Sequence, residues 1–202
     1  MRKLVCFVVA CLVVLGLFGQ VFAQDTPADT TVTYNLDARQ ARINELRSVY
    51  KITLQPTERA ATSLRCKAAQ KNLTRLGSQL SNATILRRNT YQTSIDRLKN
   101  MQTRLSQTQI DTSNLELLTV LYQQKLETFE FASANYALAI EDATTLDCSA
   151  SPEDFLAALE GVRNARKKVV AVTSELQEIT RSSLKTTSDT LINRLKATGQ
   201  KL

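Results

Sequence analysis

The stretch SPEDFLAALEGVRNARKKVVAVTSELQEI, Ser151–Ile179, decides the fold. Phe155, Ala158, Val162, Ala165, Val169, Val172, Leu176 and Ile179 alternate steps of three and four without a miss. That spacing puts one apolar stripe along one side of a helix, the a/d seam of a coiled coil. Small Ala at two positions of the seam permits close helix approach. The start is marked as clearly. Ser151 is placed to cap, Pro152 suits the first helical position, and Glu153 and Asp154 fall in the first turn, where the helix dipole favours anions. Beyond Ile179 the stripe shifts to Leu184, Leu191, Leu195 and Leu202.

Working back from this seam, the same period recurs. Leu115, Leu118, Tyr122, Leu126, Phe129, Tyr136 and Ile140 step by three, four or their sum. Earlier, Leu73, Leu76 and Leu80 are in phase, and Tyr91, Ile95, Leu98 and Leu105 follow. Leu80 to Tyr91 spans eleven residues, the spacing of a stutter. The breaks are few: Gln55–Pro56, the polar run Ser106–Asn114, and LDCSASPEDF at Leu146–Phe155. In the second of these, Asp111 or Ser113 is placed to cap the helix that follows.

These marks predict an all-α fold: an elongated antiparallel helical bundle or coiled coil of three long helices plus a short N-terminal helix. The helices are expected at about Leu36–Leu54, Thr57–Thr108, Ser113–Thr145 and Pro152–Thr198, with short connections making neighbours antiparallel. Pro56 either kinks one continuous helix or separates two, and Gln55 is a weak cap.

Residues 1–23 speak to compartment. Arg2 and Lys3 precede fifteen apolar residues, Leu4–Phe18, and Val21–Phe22–Ala23 forms an A-x-A-like cleavage site. This is the pattern of a secretory signal, with Gln24 as the expected mature N-terminus. Left uncut, the same segment is just long enough to anchor the chain in a membrane. Val8–Val9–Ala10–Cys11 also loosely resembles a lipobox, but cutting there would leave an apolar run still to cross. Residues 24–35 lack any period and predict a disordered lead. Residues 36–202 make the bundle domain. The expected location is extracytoplasmic, secreted or periplasmic.

Export gives meaning to the cysteines. Cys6 and Cys11 lie in the signal, so the mature chain keeps Cys66 and Cys148 in an oxidising compartment. A turn near Asp111 sends the third helix back along the second, which brings Cys148 toward the level of Cys66. A disulfide between Cys66 and Cys148 is therefore expected.

Charge is partitioned along the chain. Leu36–Ser106 has 14 Lys and Arg against 4 Asp and Glu. Asp111–Glu160 has 10 acids and 1 Lys, and the remainder has 9 bases and 3 acids. An acidic helix packed between two basic ones follows from this order, so that the high pI is largely neutralised within the molecule. That weighs against specific nucleic-acid binding.

Several chemistries are excluded or unsupported. The chain has no His, which removes Ser–His–Asp and Cys–His catalysis and the usual zinc ligand sets. No glycine-rich phosphate loop is present. Glu141, Asp142, Asp147, Glu153 and Asp154 gather around the third turn, but without the spacing of a calcium loop; capping and solvated helix ends are expected there. The chain is thus expected to be no enzyme, with no catalytic, cofactor or metal residues. A structural or protein-binding role fits best. The alternatives are a basic periplasmic holdase-type chaperone and a binder of cell-envelope or anionic surfaces. An open apolar groove would favour the first alternative, an uncancelled basic stripe the second. The protein or envelope partner and the oligomeric state are not encoded in any motif.

Overall fold

The computed structural model describes residues 36–107 and 110–197. The expected signal segment, its cleavage site and the expected lead at 24–35 lie outside them. The described part is an all-α antiparallel bundle. Helix α1 is Leu36–Tyr50, α2 is Pro56–Ser106, α3 is Ser113–Thr145 and α4 is Pro152–Glu178. A single π-helical turn, Ile179–Ser183, leads into α5, Leu184–Ala197. At 1.5 Å per residue, the 51 residues of α2 extend about 77 Å. None of the described helices is long and apolar enough to cross a membrane.

Helix α3 is central. It packs along both α2 and α4, which meet each other far less. Its inner face carries Leu118, Tyr122, Leu126, Phe129, Tyr136 and Ile140, all buried. The α4 seam faces it with Phe155, Val162, Val169, Val172 and Leu176, also buried. Tyr91 of α2 stands edge-on to both Tyr122 and Phe129, with ring centroids 6.2 and 5.5 Å apart. Burial raises the Tyr91 and Tyr136 hydroxyls above the ordinary tyrosine range. The Tyr122 hydroxyl meets the Thr180 hydroxyl at 3.1 Å.

Two boundaries correct the sequence reading. The short helix stops at Tyr50, not near Leu54, because Lys51 adopts a left-handed backbone with φ 48°. Its N–H donates to the Arg47 carbonyl at 2.9 Å and closes the helix. Pro56 therefore opens a separate helix. Gln55 itself is a weak cap, but Glu58 compensates: its carboxylate accepts the Gln55 N–H at 2.9 Å, one half of a capping box. At the other end, the expected continuous helix from Pro152 to Thr198 is interrupted at Ile179–Ser183. From Ile179 to Leu184 the apolar stripe must advance five residues. One π turn absorbs this step and returns Leu184 and Leu191 to the core side.

Ser151 occupies the N-cap position and Pro152 the first turn, as expected, but the Ser151 side chain makes no capping hydrogen bond. The N-cap of α3 is Thr112, not Asp111 or Ser113, and its side chain makes no capping bond. Asp111, one residue earlier, shapes the approach, its carboxylate accepting the Ser113 N–H at 3.0 Å and the Ser113 hydroxyl.

Candidate functional site

Two regions stand out: a polar clamp at the end of the bundle where α3 turns into α4, and an open trough midway along α2 and α3.

The clamp starts from Cys66 and Cys148. Both are buried, and their Cα atoms lie 5.9 Å apart, within the span of a disulfide. Beside them Gln70 of α2 donates from its amide to the Ala143 carbonyl at 3.1 Å and the Leu146 carbonyl at 2.8 Å. These are acceptors that the end of a helix leaves unpaired. Asp147 then accepts the Ser149 and Ala150 N–H groups and shapes the turn. The sequence reading foresaw the cysteine pairing from the antiparallel turn. It had no signal for Gln70.

The acidic residues around this turn do something other than end-capping. Asp142, Glu153 and Asp154 are buried, Asp142 to 3 % exposure. Each meets an arginine from the N-terminal part of the domain. Arg42 donates to both Asp142 oxygens at 2.8 and 2.7 Å, and Arg39 lies at 3.6 Å. Arg47 reaches Asp154 at 3.3 Å and Arg59 reaches Glu153 at 2.5 Å. Glu141 and Asp147 stay nearer solvent, as the sequence suggested for all five.

These pairs explain how α1 is held. Among its described side chains it contributes the fully buried Ile43, and Leu46 resting on Gly161, where an added Cβ would come within 3.0 Å of a Leu46 methyl. The Asn164 amide donates to the Tyr50 hydroxyl. Much of the grip is therefore ionic and polar, through Arg39, Arg42, Arg47 and Tyr50.

The basic–acidic–basic order is realised in placement, since α3 does lie between α2 and α4. It is realised in direct pairs mainly at the clamp. Along the seams among the described residues, Arg88 of α2 meets Glu130 of α3 at 2.5 Å. Lys125 of α3 meets Glu175 of α4 at 2.6 Å, with the sign reversed from the overall pattern.

The trough lies where the heptads of α2 lapse. Between Leu80 and Tyr91 no residue of α2 is buried, and Ile85 is 56 % exposed. Opposite, α3 offers the small side chains Ser133, Ala134 and Ala137, with Glu130 at one end. The gap has a volume of about 420 Å³. Ser133 is 3 % exposed, and its hydroxyl has no hydrogen-bond partner among the described residues. Toward the far end the trough continues past the Arg88–Glu130 pair, along Gln92, Gln123 and Glu127. The eleven-residue spacing was the sequence signal for this opening. A smaller polar hollow of about 120 Å³ lies at the opposite end, where Asp111 and Asn114 face Thr186, Thr190 and Arg194 of α5.

The chain matches no protein-family model, no curated protein and no solved structure.

Proposed function

We propose that this chain is an exported helical-bundle protein with a structural or protein-binding role and no catalytic activity. The observation that carries this reading is the meeting of Cys66 and Cys148. These are the only cysteines beyond the signal-like segment, and they lie on different helices in disulfide geometry. A buried cross-link of this kind suits an oxidising compartment. The buried carboxylates support the same reading, because arginines already engage them in a structural clamp.

N-terminal sequencing and non-reducing peptide mapping of the native protein test this together. Gln24 at the N-terminus and a linked Cys66–Cys148 peptide pair are expected. An intact Met1–Ala23 in a membrane fraction would indicate an anchored form. A full-length cytosolic protein with free thiols would overturn the reading.

The trough favours a second reading, a holdase-type chaperone gripping exposed apolar segments. Its test is suppression of aggregation of a thermally unfolding reporter enzyme, lost on Ala134→Arg in the trough wall. With an acidic α3 between two basic helices, binding to heparin or DNA should be weak and vanish near physiological salt.

A further inference from the structure

We propose that the α2/α3 trough is the face through which two copies of this chain associate. The proposal goes beyond the exported binding role and does not depend on the compartment.

The two walls of the trough carry opposite charge at helical spacing. On α3, Glu127, Glu130, Ala134, Ala137 and Glu141 fall on one stripe at steps of three and four, and Glu116 lies eleven residues before Glu127, about three turns back on the same face. On α2, Ser81, Ile85 and Arg88 follow at steps of four and three. Lys99 lies eleven residues beyond Arg88, about three turns on, and Lys67 and Lys71 lie fourteen residues before Ser81 and Ile85, about four turns back on the same side. The stripes are anchored to this face because Ser81, Ile85 and Arg88 line the trough with Glu130, Ala134 and Ala137. One acid, Asp96, interrupts the basic stripe, and Gln92 hydrogen-bonds to it at 2.9 Å.

Such a face complements itself under one particular symmetry. A two-fold axis parallel to the helices, lying in the interface, sets α2 of one copy over α3 of the other, antiparallel and at the same level. Basic wall then meets acidic wall twice. The alternative axis, across the helices, stacks α2 on α2 and α3 on α3, like charge on like. The register also agrees. Gly77 lies against Ile140, where an added Cβ would come within 3.4 Å of the Ile140 methyl, and Arg88 lies against Glu130. Lys99 is therefore level with the turn that carries Glu116. The Arg88–Glu130 pairs of the two copies come together at the centre as a ring of four alternating charges.

Sterics point the same way. Ser81, Ala134 and Ala137 leave the trough wide and shallow, and Ile85 projects beside it. Against a second copy, Ile85 meets the small side chains of the partner's α3 wall. The Ser133 hydroxyl, buried without a partner among the described residues, lies at the floor of this contact.

Sedimentation equilibrium of the bundle-containing mature chain tests the proposal. A dimer is expected whose dissociation constant rises with salt. Arg88→Glu should raise that constant by about tenfold or more, since each dimer contains two such residues among opposite charges. Arg88→Glu with Glu130→Arg should restore it. Ala134→Arg, at an exposed position, should give a monomer with unchanged circular dichroism, which keeps the test valid if Arg88→Glu perturbs the fold. Register is read by mixing Ile85→Cys chains with Ala134→Cys chains under oxidising conditions. These should cross-link to each other, while Ile85→Cys alone should not. A chain that stays monomeric at the highest attainable concentration overturns the proposal. So does a dimer indifferent to Arg88→Glu and Ala134→Arg, or one that cross-links only Ile85 to Ile85.

Discussion

Arg42 grips Asp142 with both arms of its charge: Nε and Nη2 donate to the two carboxylate oxygens at 2.8 and 2.7 Å, one hundred residues apart in the chain. The acid is buried, whereas the arginine is about one-third exposed. This contact joins α1 to α3, beside the apolar contacts of Ile43 and Leu46. Asp142→Ala should remove that join while leaving Arg39 and Arg42 facing a cavity. Breaking a fully buried pair costs about 3–5 kcal/mol, and the exposure of Arg42 lowers this to about 1–3 kcal/mol. The loss should be local. Amide exchange over residues 36–50 should accelerate far more than over α3 and α4. Uniform acceleration along the whole chain would show that α1 is not a separable clamp.

The three long helices and their order were legible because four heptads of alternating steps leave little choice of structure. The cysteine pairing was legible because an antiparallel turn and two remaining cysteines leave one partner each. Asp142, Glu153 and Asp154 were not. A carboxylate near a helix end reads as solvated, and only the arrival of α1 from far up the chain buries it. Likewise the five-residue step from Ile179 to Leu184 announced a phase change without saying that a π turn would make it. The lapse between Leu80 and Tyr91 announced a break in the seam. That it opens as a trough depends on Ala134 and Ala137, on a different helix.

The Cys66–Cys148 bond closes an 82-residue separation. Its loss should lower stability to urea by about 2–4 kcal/mol, chiefly by freeing the unfolded chain. Cys66→Ala with Cys148→Ala is the suitable variant, because both sites are buried and a serine pair would add its own penalty. Both sulfurs being buried, reduction in the folded state should be slow and should speed up with denaturant. Equal unfolding midpoints with and without reductant would count against the bond.

The Ser133 hydroxyl is buried and finds no hydrogen-bond partner among the described residues. An unsatisfied group of this kind carries a desolvation penalty of about 1–3 kcal/mol. Ser133→Ala removes the group and a small volume together. The variant should be neutral or more stable by up to about 1 kcal/mol in denaturant unfolding. A loss above about 1 kcal/mol would show that the hydroxyl has a partner in solution, such as an ordered water in the trough.

Asp111 ties the α2–α3 turn to the last helix, and its titration should report that tie. Its carboxylate accepts the Ser113 hydroxyl and the Ser113 N–H, and Arg194 of α5 approaches at 3.2 Å. These contacts, the Ser113 hydroxyl first, hold its pKa down at about 2. A depressed carboxylate favours the folded state in its charged form. The contribution is complete above the ordinary aspartate value of about 3.9 and disappears as the pH falls through about 2. Between those values, acid should loosen the turn and the α5 contact before it unfolds the aromatic core around Tyr91, Tyr122 and Phe129. A carboxyl-carbon NMR titration should place the Asp111 midpoint well below the ordinary aspartate value of about 3.9. Asp111→Asn should flatten the pH dependence of stability in that window, because the asparagine keeps an acceptor for Ser113 but loses the charge. A midpoint near 4, or a pH dependence unchanged by the substitution, would show that the Ser113 and Arg194 contacts do not persist in solution.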